Sequence, residues 1–390
     1  MLSEWYLLSL LAVTAAVASP CQPINCSVDT ALAGAYVNGS VSMVDNPLTH
    51  FDGPKTGGFN ATVGEDWSFE GAAADGQSAM AFTLTRGLIV GTVGGQRALL
   101  TAVWPNGTRF MESMWADVST VKVCDDMTIA TWYNGTSGLN WTIEAAKDFS
   151  RTIVHIKSAN IQGTFILSPI SPPVYPNGLI YPDLRGDNKF APYLWWVESV
   201  PVGVVEVNLT IRGTPFVLHN GIGGRERNWH SFPWAQISAR WDMIRAQVGP
   251  YSLVSLTYES KIDGQTYFSA VIMEGQKVVF RTRTLAQEVS TTENYGSFDL
   301  QYNGNVRLSS DPAATTPLPE SRHTGYLMEM VAPGTGEHWK FKIDYTKCVY
   351  WFPAGKDGRV AGFAGAVKGG LVGGAQFVGR VSGNAMEKNL

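Results

Sequence analysis

Short apolar runs rich in β-branched and aromatic residues recur along the chain. They are SAMAFTLT (78–85), TIATWY (128–133), NWTIEA (140–145), TIVHIK (152–157), GTFIL (163–167) and the run 202–211. Such residues suit a pleated, half-buried surface, so each run predicts a strand. Asn106-Gly107, Asn134-Gly135, Asp263-Gly264 and Asn303-Gly304 predict hairpin turns, since these residues tolerate the positive φ such turns require. The clearest hairpin is YSLVSLTYESKIDGQTYFSAVIME (251–274), which alternates on both sides of its turn. No sustained 3.6-residue period is present, and residues 145–150 offer at most one helical turn. The glycine-rich FAGAVKGGLVGGAQFVGRVSG (363–383) lacks phosphate-loop spacing and predicts closely packed final strands.

The pattern breaks at residues 170–193, ISPPVYPNGLIYPDLRGDNKFAPY, which carry Pro172, Pro173, Pro176, Pro182 and Pro192. Proline cannot donate to a sheet ladder, so this predicts an irregular crossing and a domain boundary. The fold class is all-β, with one domain over residues 19–180 and a second over 194–390. Leu194-Trp195-Trp196 opens the second, and 309–322 reads as a surface loop.

The N-terminus is set apart from both. An apolar run at 6–18, too short to span a bilayer, ends in Ala16-Val17-Ala18, which predicts a signal peptide at 1–18 despite Glu4 and the absence of a basic residue before it. No later apolar run has membrane-spanning length, so no membrane association is expected after cleavage. The sequons at Asn25, Asn38, Asn60, Asn106, Asn134, Asn140 and Asn208 agree with the secretory pathway and a final place outside the cell or in a vesicular or vacuolar lumen. Asn25 is the weakest acceptor because Cys26 is its middle residue. Cys21, Cys26, Cys124 and Cys348 allow three pairings in an oxidising compartment. A bridge from Cys21 or Cys26 to Cys124 would staple the N-terminus to the first half, and is the expectation; one to Cys348 would clamp the two ends.

Charged residues are 16% of the chain with a formal net charge of -4, and there is no basic run or finger spacing, which excludes a nucleic-acid footprint. The six histidines (50, 155, 219, 230, 323, 338) show no HxH or HExxH spacing, and no G-x-S-x-G elbow occurs, so neither a metal site nor a serine triad is expected. Tryptophans 67, 104, 115, 195, 196, 229, 241, 339 and 351 are numerous enough to fill cores and still line an apolar ligand cavity. The candidate chemistry is HNGIGGRERNW (219–229). Gly221, Gly223 and Gly224 permit a sharp turn or close ligand approach. Arg225, Glu226 and Arg227 before Trp229, Trp234 and Trp241 read as the rim of a ring-lined pocket. The plainer reading is a surface turn whose charges pair with one another.

GIGGRERNW resembles the Gly-x-Gly-Tyr-x-Asp-x-Asn-Trp motif of the lipocalin-like family that includes carotenoid 1,2-hydratases and the fungal pericyclases called Diels–Alderases. Gly221, Gly223, Asn228 and Trp229 match it, with Glu226 as the acid, Gly224 where tyrosine is usual and His230 where glycine is common. The likeness continues diffusely over residues 30–385, including DWSFEG at Trp67 and the proline-rich crossing. It implies two lipocalin-like antiparallel β-barrel or sandwich domains with a cavity at or between them, and no cofactor. The secreted members it most resembles join a polyketide-derived tropolone, as its ortho-quinone methide, to a humulene-type terpene by an inverse-demand hetero-Diels–Alder reaction. On that resemblance Arg225 or Arg227, held by Glu226, would polarise the diene carbonyl. Asn228 and His219 would bind the tropolone oxygens, and Trp67, Trp229, Trp241, Tyr258 and Trp339 would supply stacking walls. Glu226 or His219 would act as acid–base if water is also lost. A terpenoid hydratase or isomerase and a non-catalytic carrier are the alternatives, and the oligomeric state is not legible.

Overall fold

The computed structural model describes residues 25–89, 92–285, 287–288, 300–302, 306–310, 325–332, 334–353 and 358–388. The expected signal peptide at 1–18, Cys21, the expected Asn303-Gly304 turn and most of the expected loop at 309–322 lie outside these residues. Strand dominates, and the one helix among the described residues is the single turn Trp234–Ile237.

Two antiparallel sheets divide the chain. In the first, Cys26–Leu32 pairs with Val118–Cys124, and the order continues through Met127–Asn134, Leu139–Ala146, Thr152–Lys157 and Ile161–Pro169 to the hairpin Leu194–Ile211 and Thr214–His230. Gly64–Ala72, Ala79–Ile89, Thr92–Val103 and Arg109–Trp115 complete it. In the second, Ser238–Val248 lies between Tyr251–Ser260 and the last strand, Phe377–Lys388. Each sheet curls over its own apolar interior: Trp67, Phe82, Trp132, Trp141 and Phe165 in one, Phe268, Met328, Trp339 and Phe341 in the other.

The apolar runs fold as strands because each has one face for that interior; Leu139–Ala146, for example, keeps Leu139, Trp141, Ile143 and Ala145 buried in alternation. Gly107 and Gly264 take the positive φ expected of their turns (84° and 70°), but in the turn after Asn134 that conformation falls on Gly138 (φ 70°), not Gly135. Residues 147–150 form a turn rather than a helix. The glycine-rich tail is two paired strands, Gly358–Leu371 and Phe377–Lys388.

The sheets part between His230 and Ser238, not in the proline-rich crossing. Leu194–Ile211 and Thr214–His230 therefore complete the first sheet instead of opening a second domain. The physical reason is burial on both faces: the first ten residues of Leu194–Ile211 are all buried, one face over the first interior and the other against the second sheet. The crossing is irregular as expected and straps across this strand, with Val174 and Glu198 exchanging two backbone hydrogen bonds of 3.0 Å. Cys26 and Cys124, register partners on adjacent strands, form the disulfide. Cys348 is a buried thiol 3.3 Å from the Tyr350 carbonyl. Asn25, Asn38, Asn106, Asn140 and Asn208 are exposed, whereas Asn60 and Asn134 are half-buried with their amide groups engaged by neighbouring backbone.

A seam between the sheets as candidate active site

The glycine-and-charge segment is not a loop. It is the inner half of Thr214–His230, hydrogen-bonded on both edges, with Arg225 opposite Phe69, Glu226 opposite Ser68, Arg227 opposite Trp67 and Asn228 opposite Asp66. Its glycines serve close approach instead of turning: a Cβ on Gly223 would lie 1.9 Å from the Glu70 carbonyl oxygen, and one on Gly224 2.2 Å from Arg245 Nη1.

Strand alternation then splits Arg225, Glu226, Arg227 and Asn228 between two faces. Arg225 and Arg227 turn toward the rings of Phe69 and Trp67, and Trp229 packs on the same side with Phe51 and Trp195. Arg227 Nε donates to the Asp66 carbonyl (2.9 Å), Nη1 to those of Phe51 and Gly53 (3.0 Å each) and Nη2 to Glu65 Oε2 (3.0 Å). Its guanidinium lies 3.4 Å from the Trp67 ring centroid. Arg225 Nη2 donates to Asp52 Oδ2 (2.8 Å), and both arginines are fully buried. Burial lowers both, Arg227 to about 10, which leaves them charged at neutral pH. Burial pushes Asp52 up, but Arg225, His50, Arg227 and the Ser199 hydroxyl together outweigh it and the carboxyl stays below its usual value. Lys55, buried beside them with Nζ donating to the His50 carbonyl (2.8 Å), is driven down to about 7 by burial and then by Arg227. This is a buried ion network in which Arg225 Nε and Nη1 are left without a hydrogen-bond partner. The pleat aims both arginines away from the second sheet so that, against expectation, neither rims the seam between the sheets as a pocket edge.

Other candidates scatter. His219 is at the far end of the strand, exposed, with Nδ1 3.1 Å from Glu206 Oε2. It therefore does not meet Asn228 or the tryptophans. Trp67 packs in the first interior and Trp339 in the second. Trp229 donates to the Val44 carbonyl (3.1 Å) beneath the segment around Phe51.

Glu226, Asn228 and His230 face the other way, into the seam where the sheets meet. There Leu194, Trp196, Val202 and Ile222 pack against Trp241, Met243, Leu256 and Tyr258. Polar groups interrupt this wall. Arg245, reaching from the second sheet, donates through Nε to Glu70 (2.6 Å) and through Nη1 and Nη2 to Glu198 (2.7 and 3.2 Å). The Trp196 indole donates to Glu226 Oε2 (2.9 Å), Thr85 to Asp66 (2.6 Å) and the Trp241 indole to Asn384 (2.8 Å). Asn228 Oδ1 is buried without a hydrogen-bond partner, which in a native interior asks for a ligand or water. Burial keeps His230, 3.9 Å from Asp66, below its ordinary value and so neutral at pH 7. Burial also raises Glu226, and raises Glu198 well above the usual carboxylate value.

A void of about 10 Å³ opens by Glu70, Tyr350 and Phe363, room for roughly one water. A terpene-sized molecule does not fit this void as it stands. A surface hollow of about 610 Å³ lies between Leu179, Ile180 and Asp183 and the strand residues Lys277, Val279 and Arg281, and none of the sequence-derived candidates lines it. Sequence reasoning missed Glu70, Glu198, Arg245 and Asn384. The available signal for Arg245 was a cation at an apolar position of the alternating run SARWDMIRAQV.

A family model described as Diels-Alderase-like matches residues 23–388. The chain belongs to the Diels-Alderase-like family. It is 33% identical over 333 residues to Diels-Alderase ffsF of Aspergillus flavipes, covering 84% of this chain and 78% of that one. It is 32% identical over 336 residues to Diels-Alderase phmD of Phaeosphaeria nodorum, covering 85% and 90%. The crystal structure of CghA with Sch210972 superposes with a TM-score of 0.73 at 20% identity, over 92% of this chain and 98% of CghA, which establishes the shared lipocalin-like fold. Membership supports, for this Diels-Alderase-like protein, an enzyme that catalyses a Diels–Alder cycloaddition of small-molecule substrates.

Proposed function

We propose that this enzyme performs an intermolecular hetero-Diels–Alder reaction in the seam, without a cofactor, between an ortho-quinone methide derived from a tropolone and a humulene-type terpene. The observation that carries the reading is the pairing, in one interface, of a ring-rich apolar wall (Trp196, Trp241, Tyr258) with polar groups turned toward it (Glu226, Asn228). A cycloaddition makes its bonds in one concerted step. Holding both partners in a single mutual pose removes an entropic barrier of several kcal/mol, at most about 7–11. A donor at the diene carbonyl stabilises the charge that gathers there when one bond forms ahead of the other. The apolar wall suits the terpene, and the polar groups suit the oxygens of the diene.

The secretory assignment belongs to the same proposal. It is supported by the Cys26–Cys124 disulfide and by the exposure of five sequon asparagines, 25, 38, 106, 140 and 208.

The test is incubation of the purified protein with a quinone-methide precursor and humulene, without added cofactor, followed by chiral product analysis. One enantiomer in excess at a raised rate is expected. A product ratio equal to that in buffer would leave a carrier, and a product heavier by one water would leave a hydratase; either outcome ends the cycloaddition reading.

A further inference from the structure

We propose that Glu226, as a neutral carboxylic acid, is the hydrogen-bond donor that polarises the carbonyl oxygen of the diene. The inference rests on cycloaddition in the seam and names the group that does the work there, since Arg225 and Arg227 point elsewhere.

Glu226 and Glu198 are direct cross-strand partners, so their side chains stand beside each other on the seam face. Glu70, two strands from Glu198, joins them around one cation, Arg245. That guanidinium is spoken for: Nε serves Glu70, Nη1 and Nη2 grip both oxygens of Glu198, and Nη1 also meets the Val200 and Pro201 carbonyls. The hydrogen bond at Glu226 comes instead from a neutral indole, Trp196 Nε1, to Oε2. Two neighbouring carboxylates removed from water do not both ionise when a single cation holds one of them. The proton therefore stays on the carboxyl the guanidinium does not grip. Burial is the first cause of the upward shift at Glu226, with Glu70 and Asp66 adding to it against Arg245 and the indole. The groups facing it are Glu198, Glu70, Asp66, Arg245 and, from the second sheet, Tyr350.

Access separates the two acids. Glu198 is fully buried, whereas Glu226 is only half-buried and keeps some exposed surface. With Oε2 occupied by the indole, Oε1 is left to carry the proton. A neutral acid donates to a carbonyl as negative charge builds on it, which a carboxylate cannot do.

The experiment uses the full chain, infrared difference spectroscopy and tropolone as a carbonyl-bearing probe. At pH 7 the expected result is a protonated-carboxyl C=O band, absent in Glu226→Gln, that moves to lower frequency when tropolone binds. In the coupling assay Glu226→Leu is expected to slow turnover about 10²-fold. Glu226→Gln, which keeps an N–H donor, should lose less and flatten a rate that in wild type falls as pH rises. No Glu226 band at pH 7, a band indifferent to tropolone, or a Gln variant as fast and as pH-sensitive as wild type overturns the proposal. Should Glu226→Gln fail to fold, Trp196→Phe decides: loss of the indole donor must shift the band's titration to higher pH, and an unmoved titration refutes the assignment. Wild type that shows the band but yields racemic adduct refutes cycloaddition instead, so the two failures are distinct.

Discussion

Replacing Arg227 by methionine separates a structural arginine from a catalytic one. The guanidinium makes four hydrogen bonds of 2.9–3.0 Å, to three backbone carbonyls and to Glu65, with no exposed surface. Methionine keeps the packing on Trp67 but strands those acceptors. Removing one partner of a buried ion pair costs about 3–5 kcal/mol. Two effects hold the loss within that range rather than above it. Glu65 keeps Arg86 Nη1 (3.0 Å) and the Lys55 backbone N–H (2.8 Å), and Lys55 is relieved of a cationic neighbour. Against a typical total stability of about 5–15 kcal/mol this is a large fraction. Equilibrium urea unfolding, followed by tryptophan fluorescence with the slope checked for constancy, gives the loss directly. Turnover per folded molecule and product stereochemistry should be unchanged. A loss below about 1 kcal/mol, far short of what a buried pair costs, would mean the network is not buried. A fall in turnover at unchanged stability would return Arg227 to the chemistry.

Other outcomes follow from the same geometry. Cys124→Ser opens a bridge spanning 98 residues and should lower stability by up to about 5 kcal/mol on the chain-entropy estimate, with no gap from wild type once both are reduced. Lys55 binds its proton less tightly folded, near 7, than unfolded, so its contribution makes stability rise with pH from about 7 toward 10, by at most about 1.4 kcal/mol per unit. Lys55→Met should flatten that rise in urea titrations, and an unchanged slope counts against the buried charge. Gly224→Ala brings a methyl 2.2 Å from Arg245 Nη1 and 2.6 Å from the Val200 carbonyl, and is expected to cost about 1–3 kcal/mol by thermal unfolding. If the proposed secretory route holds, Asn106→Gln and Asn208→Gln should each remove one glycan's mass from the protein, and no mobility shift at either site tells against that route.

Much of the fold was legible because period-two alternation has a single cause, one buried face per strand. It failed where a strand is buried on both faces. Leu194–Ile211 then reads as a near-continuous apolar run, and its partner carries arginine, glutamate and asparagine inside. Three glycines beside those charges imitate a turn, although here they admit the Glu70 carbonyl and the Arg245 guanidinium. The alternation Arg225, Arg227 against Glu226, Asn228 was nonetheless present as a strand signal. The site's remaining members come from three strands, Asp66 and Glu70 from Gly64–Ala72, Glu198 from Leu194–Ile211 and Arg245 from Ser238–Val248, and only the packing of those strands brings them together. At Gly224, where the resembled motif usually has tyrosine, any side chain would run into the Arg245 guanidinium.

The hold of Arg245 on Glu70 and Glu198 bears on how such enzymes can be recombined. A cut between His230 and Ser238 would hand the anions to one fragment and their cation to the other, leaving each with a raw charged face. A chimera drawing its two sheets from different parents inherits a working joint only when both parents carry the matching set. Loops can be exchanged singly; the paired sheets have to travel as one heritable block.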